Sequence, residues 1–151
     1  MKIWDKYFYS ICEAVGKNSK CLSRQIGAIL VMDKVVICTG YNGPPRGVPH
    51  CEGSICPRRT AGYKSGEGLH LCPAAHAERN AIIQAARLGI MTKGSALYLN
   101  TQMPCKDCLI EIINAGINEV VCVDMKLYDE KSEFILKHSE LSIRIFDFIT
   151  Q

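Results

Sequence analysis

Residues 42–73 constrain this chain more than any other stretch. They are rich in Gly, Pro, Cys and Arg and follow no hydrophobic period. A loop of that length without structure of its own is uncommon in a compact domain. It must be functional, or be pinned by something other than an aliphatic core. Cys51, Cys56 and Cys72 lie within it, and Cys21 stands shortly before the first strand-like run. The chain holds 9 cysteines in 151 residues, and an odd count argues against a full disulfide framework. Residues 1–10 mix Lys2, Asp5 and Lys6 with Trp4, Tyr7 and Phe8, which is not the pattern of a secretion signal. No segment approaches the ~20 apolar residues of a membrane helix. The expectation is a soluble, cytoplasmic protein with no membrane partner, whose thiols are metal ligands, nucleophiles or buried groups.

The flanks of the loop are regular. Residues 4–18 place Trp4, Phe8, Ile11 and Val15 at helical spacing. Gly27–Met32 and Val35–Tyr41 are β-branched runs around Asp33-Lys34, the pattern of a tight antiparallel hairpin. Residues 74–88 form a helix pattern closed by Gly89, and 96–100 a short strand. Pro104 opens a helix over 105–115 that Gly116 closes, with Pro and Gly at their favoured ends. A strand over 119–123, a weaker helix over Glu130–Lys137 and an alternating strand over 142–148 complete the order. This order predicts one α/β domain over 1–151: a three-layer α-β-α sandwich of about five strands, with helices on both faces. The later strands, joined through helices, are expected to be parallel. A chain this long buries roughly 68–70% of its unfolded surface, enough for a core without disulfides. Cys12, Cys38 and Cys122 fall inside predicted elements and read as small buried hydrophobes.

Chemistry concentrates in two motifs, His76-Ala77-Glu78 and Pro104-Cys105-Lys106-Asp107-Cys108. Cys105 and Cys108 share one helix face, and a helix N-terminus favours thiolates. His76 from the neighbouring helix completes three protein ligands, the number a catalytic zinc uses when it keeps one position for water. Two thiolates and a neutral imidazole cancel the 2+ of the metal, whose bound water still ionises more readily than bulk water. Glu78, two residues from His76, points elsewhere and is free to move protons. Together the motifs match the His-x-Glu and Pro-Cys-x-x-Cys signature of zinc nucleobase deaminases.

The run Gly40-Tyr41-Asn42-Gly43-Pro44-Pro45-Arg46-Gly47, then residues 76–82, then 101–108, resembles the deoxycytidylate deaminase family. The resemblance spans about residues 4–123 and weakens beyond. It implies the cytidine-deaminase-like fold and hydrolysis of dCMP to dUMP and ammonia, a supply step for dTMP synthesis. A zinc-activated water would attack cytosine carbon 4, with Glu78 as proton shuttle. It implies Asn42 on the deoxyribose, with Ala77 and Thr101 also lining the substrate site. It further implies a homo-oligomer, with a hexamer favoured, activated by dCTP and inhibited by dTTP. Gly43, Arg46 and Gly47 would contribute to that effector site, and Mg²⁺ would accompany a triphosphate effector. The substrate phosphate needs a clamp, for which Ser23 and Arg24 before the first strand, and Lys126 and Tyr128 after the strand at 119–123, are candidates.

Many members of that family carry a second, structural zinc near this loop. Here Cys21, Cys51, Cys56 and Cys72 would hold it, with His70 as alternative ligand; the position two before His76, used by some relatives, is Ala74. Such a clip supplies ordering energy that few aliphatic residues can, and would bring Arg46, Arg58 and Arg59 near substrate or effector phosphates. The net charge of +3 suits a small anion and falls short of a nucleic-acid binder. Two rivals share the motifs: a tRNA-adenosine or other nucleobase deaminase, and a catalytically silent zinc module that binds nucleotide.

Overall fold

The computed structural model describes residues 2–52, 55–127 and 129–148. The hairpin forms as expected: β1 (Gly27–Met32) and β2 (Val35–Tyr41) pair antiparallel, with Leu30 opposite Cys38. Asp33 and Lys34 both take positive φ, 50° and 64°, as a two-residue turn matching strand twist requires. The Lys34 ammonium stands 5.5 Å from the centre of the Trp4 ring, tying the turn to the N-terminal helix α1 (Asp5–Gly16).

One five-stranded sheet runs in the order β2-β1-β3-β4-β5, where β3 is Ala96–Leu99, β4 Glu119–Cys122 and β5 Ser142–Ile145. β3 lies antiparallel to β1, whereas β4 and β5 follow it in parallel. The two-residue alternation of a strand divides the core. Ala28, Leu30, Leu97, Leu99, Val120 and Cys122 face one side, under α3 (Ala77–Leu88), α4 (Lys106–Asn114) and α5 (Glu130–Lys137). Ile29, Val31, Tyr98 and Val121 face the other, against Phe8 and Cys12 of α1 and Phe146. The α-β-α layering is therefore as the order of elements implied. Cys12, Cys38 and Cys122 are buried, and burial raises their thiols, to about 12 at Cys12 and about 11 at Cys122.

Two expectations need correcting. The helix expected over 74–88 starts only at Ala77, because the Ala75 backbone exchanges both its hydrogen bonds with Gly43 (3.1 and 2.8 Å) and so stays extended. The segment 42–73 is not structureless: it holds the short helix α2 (Pro57–Thr60) and a 3-10 turn at Leu69–Leu71. Among the described residues no helix is long and apolar enough to cross a membrane.

The last strand is clipped to the first helix. Asp5 is fully buried, and its carboxylate accepts from Arg144 at 2.7 and 3.0 Å and from the Asp147 backbone at 2.8 Å. On the opposite face α3 rests backbone-to-backbone on β2. A methyl group at Gly40 would overlap the Ala81 amide and the Ala77 carbonyl, so only glycine fits. Overpacking of this kind costs about 1–3 kcal/mol, and here the obstruction is backbone. We expect Gly40→Ala to lower the unfolding free energy by at least that much in urea titration, where an unchanged midpoint would contradict this close approach.

Candidate active site

Strand direction gathers the functional segments. Because β1 runs against both β2 and β3, and β4 runs with β3, the start of β1 and the ends of β2, β3 and β4 share one rim. Side-chain amides stitch this rim together. Asn100 Oδ1 accepts from Gly27 N at 2.9 Å. Asn42 Oδ1 accepts from Ile26 N at 2.8 Å, and its Nδ2 donates to the Arg24 carbonyl at 2.9 Å. Val123 N donates to Thr101 O at 2.8 Å, and Met103 N to Asp124 O at 3.0 Å.

His76 sits at the N-cap of α3 in extended conformation, placed by the Gly43–Ala75 bridge just before it. Cys105 is the extended N-cap of α4, and Cys108 lies in its first turn. The three come together as the sequence suggested. His76 Nδ1 is 3.5 Å from Cys105 Sγ and 3.4 Å from Cys108 Sγ, and the three ligand atoms lie within 4.8 Å of one another. In tetrahedral coordination with bonds of about 2.0–2.3 Å, ligand atoms stand roughly 3.3–3.8 Å apart. The donor set and its spacing therefore fit zinc.

The charges are arranged for it. The Cys108 thiol, and then His76, hydrogen-bond Cys105 and hold its thiol down at about 4, against the opposing effect of burial. The hydrogen bond with Cys105, and then burial, push the Cys108 thiol up. The hydrogen bond with Cys105 raises His76. Glu78, in the first turn of α3, is buried among these groups. Loss of hydration raises its carboxyl above the ordinary range, while His76 and Arg24 pull the other way. A buried carboxyl beside a candidate metal site has the environment of a general acid–base group.

The remaining rim residues divide by geometry. Arg24 Nη2 donates to Thr101 Oγ1 at 2.5 Å, so a cation stands at the rim within electrostatic reach of Glu78. Ser23 Oγ accepts from Arg59 Nη2 at 3.2 Å. Ala77 is buried at the start of α3. The two hydrogen bonds of Asn42 hold the segment carrying Arg24; one amide hydrogen and one oxygen lone pair remain for a ligand. Lys126 is exposed, its amide held by Asp124 Oδ1 at 2.8 Å. Tyr128 lies outside the described residues. One pair had no signal in the sequence: Arg79, next to Glu78, donates to both Glu111 oxygens at 3.0 Å and braces α3 against α4.

Next to this rim, Cys21, Cys51, Cys56 and Cys72 line one cavity of about 20 Å³, together with Gly43 and Ala74. That is room for one water or one ion. Burial raises Cys51 to about 11, with the Cys56 and Cys72 sulfurs adding, whereas the Arg59 amide lowers Cys56. Two expectations fail here. His70 does not line the cavity; it meets Tyr63 edge-on, ring centres 6.0 Å apart. Arg58 is buried, and its guanidinium is spent on the carbonyls of Glu67 (2.7 Å) and Lys64 (3.2 Å), so it struts the loop rather than facing a phosphate. On the outer side of β2 and α3 lies a larger groove of about 570 Å³. Gly43, Arg46, Gly47, His50, Gln84 and Arg87 line it, and Arg46 donates to Gln84 Oε1 at 3.0 Å.

An α-β-α sheet that brings a His-x-Glu helix start against a Cys-x-x-Cys helix start defines the class of zinc-site hydrolytic deaminases by arrangement. The particular family follows from comparison. Residues 2–124 match the cytidine and deoxycytidylate deaminase zinc-binding region, and the chain belongs to that family. It is 37% identical to the deoxycytidylate deaminase of Saccharomyces cerevisiae over 96% of this chain, spanning only 45% of that relative's length. It is 40% identical to the deoxycytidylate deaminase of Mycobacterium phage D29 over 78% of this chain and 92% of that protein. The fold matches that of the cyanophage S-TIM5 dCMP deaminase in complex with dCMP and dUMP, with a TM-score of 0.75, 24% identity, and 96% and 98% of the two chains covered.

Glu78 generates a stability prediction. A buried carboxyl whose folded pKa is raised penalises the folded state when ionised. That penalty is fully felt above the folded pKa and gone below the unfolded one. In the metal-free protein we expect Glu78→Gln to melt higher than the wild type at pH 7. The gap should close as pH falls through the raised pKa toward the ordinary carboxylate range. Equal melting temperatures at pH 7 would show that Glu78 is not strained by burial.

Proposed function

We propose that this chain hydrolyses dCMP to dUMP and ammonia. The observation that carries the reading is Glu78: a buried carboxyl, raised by desolvation, beside the His76, Cys105 and Cys108 donor set. A purely structural metal site has no use for such a group. His76 through Nδ1, Cys105 and Cys108 would hold the metal. When bound, zinc supplies a Lewis acid that makes water a usable nucleophile near neutral pH. Glu78 takes the proton from the attacking water and delivers it to the ring nitrogen beside carbon 4. It then takes the remaining proton of the added hydroxyl and passes it to the amino group as the carbon–nitrogen bond breaks, so that water and dCMP leave as dUMP and ammonia. General acid–base help of this kind contributes typically ~10²–10⁴-fold.

Selection of a nucleotide falls to the rim. Arg24, with Ser23 beside it, is best placed for the monophosphate, and Lys126 is a second cation along the same rim. Ala77, Thr101 and the remaining amide hydrogen of Asn42 serve base and sugar. The groove lined by Gly43, Arg46 and Gly47 suits a nucleotide effector, dCTP with Mg²⁺ or dTTP, and Arg87 adds a further cation to it. Cys21, Cys51, Cys56 and Cys72 take a structural zinc, a reading supported by the one ion-sized cavity that all four line. A hexamer and a cytoplasmic setting complete the reading, with no nucleic-acid partner.

The test is ammonia release by the zinc-loaded protein. Turnover of dCMP, with deoxycytidine and CMP poor and with stimulation by dCTP-Mg²⁺, is the expected pattern. Absence of turnover on any of these by protein with full zinc content would favour the silent nucleotide-binding module or the tRNA-adenosine deaminase. Glu78→Gln should keep its zinc and lose at least about 10²-fold in kcat; wild-type turnover in that variant would remove Glu78 from the mechanism. Cys105→Ala should lose the catalytic zinc in metal analysis.

A further inference from the structure

We propose that Asp129 is a positioning residue for the catalytic metal: its carboxylate holds the first turn of α4, and so Cys105 and Cys108, against the start of α5. The inference rests on the reading that His76, Cys105 and Cys108 hold that metal. The opening N–H groups of a helix have no partner within it and need one elsewhere. At α4 the N-cap residue is Cys105, whose sulfur belongs to the metal cluster. The next amide, Lys106 N, donates instead to Asp129 Oδ2 at 3.1 Å, across 23 residues of sequence. The other oxygen, Oδ1, accepts from Ser132 N at 3.0 Å and from Ser132 Oγ at 3.2 Å, which caps α5. Ser132 is fully buried, so this end of the bridge is seated in the packed layer.

One carboxylate therefore divides its two oxygens between two helix starts. Its charge also sits where the positive ends of both helix dipoles converge. The geometry at stake is narrow, because metal–ligand distances tolerate only about ±0.2 Å. Without Asp129 the Lys106 amide loses this acceptor, and the turn from Cys105 to Cys108 loses its tie to the start of α5. Asp129 also closes the segment that leaves β4 and carries Asp124 and Lys126 along the rim. The metal ligands and that segment thus share an anchor. It lies beyond residues 2–124, the part of the chain that the family model matches.

The experiment measures zinc transfer from the loaded protein to a chromogenic chelator, with melting temperature and kinetics alongside. Groups that orient metal ligands typically carry about 10–100-fold in metal affinity. Asp129→Ala should weaken zinc retention by about 10-fold or more and lower kcat more than it changes KM. Ser132→Ala removes only an α5 contact and should retain zinc like the wild type. Asp129→Asn keeps a good helix cap for α5 but offers one acceptor oxygen in place of two, and should fall between the others even if Asp129→Ala folds poorly. Wild-type zinc retention in both Asp129 variants would overturn the proposal. Equal loss in Ser132→Ala and Asp129→Ala would overturn it too, by reducing Asp129 to a part of α5. If the wild type itself binds no zinc at His76, Cys105 and Cys108, the functional reading fails first, and separately.

Discussion

The contact of α3 with β2 at Gly40 is the constraint on which the site depends. A helix lying backbone-to-backbone on a strand has no side chain between them to absorb error, so its N-terminus is placed as rigidly as the sheet. His76 and Glu78 inherit that placement. The extended pairing of Gly43 with Ala75 finishes the job by deciding where the helix begins. If α3 started at residue 74, as its apolar pattern alone suggests, His76 would lie inside the first turn. The sheet sets the other half of the geometry through β3, which turns from antiparallel pairing with β1 to parallel pairing with β4. That switch puts the ends of β2, β3 and β4 and the start of β1 on one rim, so four loops from distant parts of the chain can serve one small molecule.

Much of this was legible in the residues, for identifiable reasons. The apolar, β-branched runs of β1 and β2 and the paired motifs at 76–78 and 104–108 are local patterns, and local patterns survive reading without coordinates. That Cys21, Cys51, Cys56 and Cys72 border one cavity follows from their places around a loop with few aliphatic residues. What escaped were pairings between positions with no period or motif to link them. Arg79 with Glu111, Arg58 with the Glu67 and Lys64 carbonyls, and Asp129 with the Lys106 amide are each set by tertiary packing. Asn42 shows the intermediate case. Its importance was readable, but its two bonds to the segment before β1 were not.

Electrostatics and packing work against each other at Glu78. The layer that fixes α3 also removes the carboxyl from water, which the fold would be more stable without. The same desolvation brings its proton affinity toward the range where it can both take and give a proton. A polar but uncharged residue there would suit the fold better and, under the proposed reading, leave the chemistry without its proton carrier.

The hydrogen-bonded cluster of His76, Cys105 and Cys108 has a consequence for handling the protein. The imidazole stands 3.5 and 3.4 Å from the two sulfurs, on helices anchored by the sheet. Under the proposed reading, a metal would enter among ligands already in place, so the native chain would be stripped and recharged at this centre without passing through an unfolded state. The segment 42–73 is tied to the sheet at Asn42 and Gly43, and further along Arg58 braces it on its own carbonyls. Under our reading of its cysteines, prolonged chelation would loosen that loop well before it disturbed the sheet, and recovery from chelation would proceed in two stages of different speed.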